Sequence, residues 1–284
     1  MKNRLLTAAI ALPILILSLI LPMLFPAFDY AKYPFVVIAV LAIVAGLFEF
    51  YTLTKKLELK ADASIAYLFS AVFVAVFIFD APAKAHELLL LTIVFFIIVL
   101  LISQTFRFQK DFSKMLTGIG VTFLGVMYVA FLGGFLIAMR VGFNESTIQF
   151  LSTKLLLYFF LITMGSDVGA YFIGKSIGKH KLAPTISPNK TWEGFIGGIL
   201  LAIGFAALST FWFFPEFLYK HSIPLAIFMA LVGVGGDLAE SAMKRGSNTK
   251  DAANILPGHG GLLDRLDSLL FNAPILYYFA RFYF

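Results

Sequence analysis

The chain contains no cysteine and carries little charge. Without thiols there are no disulfides, no thiolate nucleophile and no Cys-ligated metal. Only 13% of its 284 residues are Asp, Glu, Lys or Arg, about half the ~25% of a soluble domain. Hydrophobic residues make up 60%, and no polar stretch is long enough to fold as a separate soluble domain. A Gly-x4-Gly-Lys-Ser/Thr run is also missing, which excludes a P-loop. The net charge of +6 is therefore no nucleic-acid signal. In so apolar a chain, excess Lys and Arg reports orientation and contact with anionic lipid.

What is present is a series of apolar runs near the roughly 20 residues that a membrane-spanning helix needs. The hydropathy pattern predicts an all-α, polytopic transmembrane bundle of about nine spans: Leu5–Phe25, Phe35–Leu53, Ala63–Phe79, Leu88–Ile102, Met115–Met139, Leu155–Gly174, Phe195–Phe214, Ile223–Ala242 and Leu266–Phe282. The first run follows Lys2 and Arg4 but has no small-x-small cleavage site, so it reads as a retained helix. With these spans, 16 of the 22 Lys and Arg residues fall in loops on the side of the N-terminus and 6 on the other. The alternation predicts a cytoplasmic N-terminus and a C-terminus across the membrane. With no targeting extension before the first span, a bacterial inner membrane is the expected location. Two parts are expected: residues 1–150 as scaffold and interface, and 151–284 as the catalytic part.

Charge inside the spans is uneven. Span two holds Glu49, span six Asp167, span eight Asp237 and Glu240, and span nine Asp267, with Asp264 just before it. Intramembrane carboxylates are costly and point first to function. Asp237, Glu240, Ser241 and Lys244 fall at i, i+3, i+4 and i+7, one helical stripe running acid, acid, hydroxyl, cation. Asp264, Asp267 and Ser268 form a second. Between them lie Lys250, Asp251 and the run Pro257-Gly258-His259-Gly260-Gly261, whose glycines let backbone N–H groups approach an anion. The helix starting near Asp264 is expected to aim its positive end at the same place. Upstream, Ser187-Pro188-Asn189-Lys190-Thr191-Trp192-Glu193-Gly194 reads as a Pro-Asn turn feeding a helix. Bland readings stand beside these. The acids can form ion pairs between helices, His259 can brace a loop, Glu193 can be a plain first-turn carboxylate, and the glycines around Asp167 suit close packing. Carboxylates beside Lys and Arg, with hard oxygen donors and no thiols, describe phosphoryl or nucleotidyl transfer with Mg²⁺.

The run from Ser241 through Lys244-Arg245, Lys250-Asp251, His259-Gly260-Gly261, Asp264-Arg265 and Asp267 resembles the signature of the phosphatidate cytidylyltransferases, the CDP-diacylglycerol synthases. Asp167-x-Gly-Ala-Tyr171 and Ser187 to Gly194 are similar to that family's upstream segments. Val168 departs from the pattern, replacing a hydroxyl residue. The resemblance covers roughly Asp167 to the C-terminus. It implies CTP and phosphatidate as substrates, CDP-diacylglycerol and pyrophosphate as products, a lipid bilayer but no nucleic acid as surroundings, and Mg²⁺, with room for a second cation. It leaves a homo-oligomer open. By resemblance Asp237 and Asp264 hold Mg²⁺, with Asp267 as a further ligand and Asp167 in support. Lys190, Lys244, Arg245, Lys250 and Arg265 share the substrate phosphates. Ser187, Asn189, Ser241, Asp251, His259, Gly260 and Gly261 complete the binding set. Two other readings use the same residues: a CTP-dependent lipid kinase of the polyprenol or phytol type, and an ion-coupled transporter.

Overall fold

The structure, a computed structural model, describes residues 2–83, 87–109, 112–143, 146–247 and 261–284. Apolar runs long enough to exhaust their own backbone hydrogen bonds can only be helices in lipid, and helices dominate. They are α1 (Lys2–Leu24), α2 (Tyr33–Lys56), α3 (Ala63–Ala83), α4 (Glu87–Arg107), α5 (Met115–Gly125), α6 (Leu132–Val141), α7 (Leu151–Ile177), α8 (Trp192–Trp212), α9 (Tyr219–Gly246) and α10 (Leu263–Tyr283). A π-helical segment, Val126–Phe131, joins α5 and α6 into one column, so the helices occupy the nine expected spans. Among the described residues, seven columns are long and apolar enough to cross a bilayer. The described apolar part of α1, Ala9–Leu24, is shorter, and α10 opens with Asp264, Arg265 and Asp267. Large apolar side chains such as Leu41, Leu90, Phe95, Leu200 and Phe211 face outward, as lipid contact requires.

Two local devices set the geometry around the later site. Tyr51 of α2 donates its hydroxyl to the Thr122 carbonyl at 3.0 Å, just before the π segment, where Val126 N–H still reaches the Thr122 carbonyl. A side chain engaging a backbone carbonyl in this way is one physical cause of a widened helical turn. On α7 and α8, a methyl at Gly169 would stand 2.8 Å from the Gly197 carbonyl, and one at Gly198 2.8 Å from the Ser166 carbonyl. The small residues around Asp167 thus bring these two helices into backbone contact.

The expectation of an all-helical chain needs one amendment. Lys181–Ala183 (β1) and Ser187–Thr191 (β2) pair as an antiparallel hairpin, with Lys181 opposite Thr191 and Ala183 opposite Ser187. Pro188-Asn189 is therefore strand, and the turn lies at residues 184–186. In a two-stranded ribbon each strand is an edge, where a missing N–H costs nothing.

At the end of the bundle where α1 finishes and α7 begins, Arg140 of α6 is 1% exposed. Pro22 within α1 has no N–H, so the Ser18 carbonyl four residues earlier lacks its helical donor. Arg140 supplies it, Nη2 donating to Ser18 O at 2.8 Å and Leu19 O at 3.1 Å, and Nη1 to Thr153 Oγ1 at 2.9 Å. Ser152 returns a bond to the Arg140 carbonyl at 2.8 Å. The guanidinium joins α1, α6 and α7.

Candidate active site

The predicted polar residues gather at the opposite end of the bundle, where α7 and α9 finish and α10 begins. Asp167 lies on the exposed face of α7. The hairpin that follows is closed by Glu193, which accepts the N–H groups of Lys179 and His180 at 3.1 and 3.2 Å and pairs with His180 Nδ1 at 2.6 Å. Thr191 caps α8 by accepting the Gly194 N–H at 3.2 Å. Glu193 is thus engaged in closing the connector, the bland reading. With β2 fixed, Lys190 reaches across to form an ion pair with Asp237 of α9. Arg245 secures the hairpin tip, its Nε donating to the Ile186 carbonyl at 3.2 Å. Ser187 is half-buried and Asn189 exposed on the same ribbon.

The stripe on α9 forms as its spacing predicts. Ser241 Oγ donates to Asp237 at 3.3 Å. One turn on, the Lys244 ammonium stands 2.5 Å from Glu240 and 2.7 Å from Asp264 of α10, joining the two helices. Asp264 also accepts the Gly261 N–H at 3.1 Å. Asp267 turns inward and accepts the Ser268 N–H at 2.6 Å, while Ser268 Oγ donates to the Gly233 carbonyl at 3.1 Å. Arg265 is exposed and near enough to Asp167 to act on its charge. Asp167, Asp237, Asp267 and Lys190 form one electrostatic group, and Glu240, Lys244 and Asp264 the next. Lys250, Asp251, His259 and Gly260 lie outside the described residues.

Two residues belong to this site that the motif reading left out of it. Glu49, fully buried on α2, accepts the N–H groups of Leu262 at 2.8 Å and Leu263 at 2.6 Å. The positive end of α10, expected to receive a substrate phosphate, already holds this carboxylate. Tyr128 of the π segment is the second. Its hydroxyl is buried and has no hydrogen-bond partner among the described residues, and it lies within electrostatic range of Asp267, Glu240, Asp237 and Asp264. The signal for Glu49 was a carboxylate inside a span that has no cation of its own; Tyr128 left none.

The chemistry of the donor set fits a hard divalent cation. Among the described residues, five carboxylates (Asp167, Asp237, Glu240, Asp264 and Asp267) face Lys190, Lys244 and Arg265, leaving a shortfall of positive charge. The described residues do not, however, bring three carboxylate or imidazole groups together tightly enough to hold an ion. The ammonium groups of Lys190 and Lys244 occupy the acids instead. Asp237 is the more open partner, its side chain 31% exposed against 1% for Glu240.

Comparison with known proteins agrees with this chemistry. A sequence model of the "Cytidylyltransferase family" matches residues 2–283. A phosphatidate cytidylyltransferase of Bacillus subtilis is 32% identical over 283 residues, covering 98% of this chain and 97% of its own. Phosphatidate cytidylyltransferases of Staphylococcus aureus and Haemophilus influenzae are similar over shorter stretches. The first is 50% identical over 125 residues (43% of this chain and 46% of its own), the second 42% over 134 (46% of each).

Proposed function

The chain belongs to the cytidylyltransferase family, and from that premise we propose how its residues carry out cytidylyl transfer from CTP to phosphatidate. The reaction is an in-line displacement. A phosphatidate phosphate oxygen bonds to the α-phosphorus of CTP, the bond from that phosphorus to the bridging oxygen of the β-phosphate breaks, and pyrophosphate leaves with the electron pair. The products are CDP-diacylglycerol and pyrophosphate. Because a phosphate monoester is already anionic near neutral pH, the attack needs no general base. Catalysis then rests on positioning and on neutralising charge.

One observation carries this reading: the ammonium groups of Lys190 and Lys244 are presented at one end of the bundle, each held by a carboxylate of α9 or α10. A substrate phosphate competes for the same ammonium groups, and Arg245 and Arg265 flank them. Ser241, already oriented towards Asp237, holds that carboxylate in place. Asp237 and Asp264, with Asp267 and Asp167 behind them, would hold Mg²⁺, which when bound neutralises phosphate charge and polarises the reacting phosphoryl group. Lys250, Asp251, His259 and Gly260 are assigned to the substrates on the resemblance alone. The loop-charge asymmetry supports a site facing the cytoplasm, where CTP is dissolved and a phosphatidate headgroup lies at the interface. Within this reading residues 1–150 are scaffold and oligomer interface, and 151–284 carry the chemistry.

Purified protein in phosphatidate-containing micelles, given CTP labelled in the cytidine and separately at the γ-phosphate, tests the assignment. The cytidine label should move to lipid with release of pyrophosphate and with a requirement for Mg²⁺. Transfer of the γ-label to lipid would replace this reading with that of a lipid kinase.

A further inference from the structure

A carboxylate buried in a membrane helix needs partners, and Glu49 finds them far along the chain. Its two oxygens take one backbone N–H each, from Leu262 and Leu263. These are two of the donors that the start of any helix leaves without an intrahelical acceptor. The usual solution is local, a Ser, Thr, Asp or Asn at the N-cap. In α10 that position is Leu262, whose side chain offers no cap. The start of α10 is therefore shared between Asp264, on the Gly261 N–H, and Glu49, on the next two.

The consequence runs straight into the site. Asp264 is the second residue of α10, so the position and direction of the first turn fix where its carboxylate lies relative to Lys244. That contact is 2.7 Å, and Lys244 is held from its other side by Glu240 at 2.5 Å. Gly46, one turn before Glu49, allows the same approach of α2: a methyl there would stand 3.0 Å from Val129, 3.5 Å from Leu266 and 3.8 Å from Leu263. We infer that Glu49 is a positioning residue of the transfer reaction, acting through the first turn of α10 to place Asp264 and Lys244, and that the N-terminal part thereby contributes to a site otherwise built by the C-terminal one. The inference rests on the function proposed above.

Glu49→Gln keeps the shape but turns one acceptor into a donor facing a backbone N–H, and Glu49→Asp withdraws the carboxylate by one methylene. In Glu49→Gln, kcat per folded molecule should fall about tenfold while KM for CTP and phosphatidate stays within about threefold, because alignment is lost and not ground-state binding. Hydrogen exchange should quicken in the first turn of α10 while the thermal midpoint moves by only a few degrees. Glu49→Asp should recover part of the lost kcat. A merely structural cap predicts the reverse: kcat per folded molecule unchanged and the midpoint lowered. That result overturns the inference, and so does failure of both variants to fold. If the wild-type protein itself transfers no cytidine, the proposed function fails and the inference about Glu49 falls with it, whereas an active wild type with an unaltered Glu49→Gln overturns the inference alone.

Discussion

The two ends of this bundle bury polar groups in opposite ways. At the Arg140 end the cation is matched by acceptors within the protein: the Ser18, Leu19 and Lys32 carbonyls and the Thr153 hydroxyl. No carboxylate pairs with it among the described residues, and none is needed, because the carbonyls freed by Pro22 and the helix ends supply the charge complement. In the Asp237 cluster, among the described residues, the carboxylates outnumber the cations, Lys244 is shared between two acids, and the Tyr128 hydroxyl has no partner. A buried polar group that is satisfied stabilises the fold. One left short of partners costs stability. The contrast is one between these two clusters, since Asp80 near the Arg140 end also keeps one buried oxygen without a partner among the described residues.

The largest effect is expected at the unsatisfied end and in activity. Asp237→Asn removes the carboxylate that Lys190 and Ser241 both address, and cytidylyl transfer should fall by about a thousandfold, on the scale of losing a principal charge-stabilising group. The protein should remain folded in detergent, since the Asp237 side chain is partly open to solvent. Turnover near that of the wild type would remove Asp237 from the machinery and erase the contrast between the two ends.

The same contrast predicts opposite signs for two substitutions that each delete a buried polar group. Arg140→Met strands the carbonyls of Ser18 and Leu19 in an apolar setting and should cost about 3 kcal/mol of stability or more. Tyr128→Phe deletes a hydroxyl that has no partner among the described residues and should be neutral or stabilising by up to about 1 kcal/mol. Unfolding in mixed detergent and denaturant would compare them directly. A loss of stability in Tyr128→Phe as large as in Arg140→Met would mean that the hydroxyl is satisfied after all.

Much of this was legible in the sequence, for reasons of range. Spans depend on local hydropathy, and stripes such as Asp237, Glu240, Ser241 and Lys244 on helical period, both properties of a few consecutive turns. The hairpin was hidden because Ser187-Pro188-Asn189 has the composition of a turn, and its strand character depends on pairing with Lys181–Ala183. Glu49 was visible as an isolated intramembrane acid, but its partners lie more than 200 residues away. Which helix end it would cap is a tertiary fact. The contact of Tyr51 with the Thr122 carbonyl, just before the segment that carries Tyr128, is likewise a tertiary fact.

The smallest effect belongs at the far end, in an ion pair open to water. Lys154 at the start of α7 pairs with Glu216 in the α8–α9 connection at 2.6 Å, the Glu216 side chain 36% exposed. Burial pushes the Glu216 carboxyl upward, but the hydrogen bond from Lys154, its own backbone and the lysine's charge outweigh it and leave the group below its ordinary value of 4.5. A lowered carboxylate contributes stability above the unfolded value, and that contribution is lost as pH falls through the folded one. Solvent and salt screen so exposed a pair, so Lys154→Ala should cost less than about 1 kcal/mol near neutral pH. The difference from wild type should shrink as pH drops below about 4.5, where Glu216 begins to take up its proton. Transfer activity per folded molecule should not change, because the pair lies a full helix length from Asp237. A clear fall in kcat would couple the two ends and show that the far end is more than scaffold.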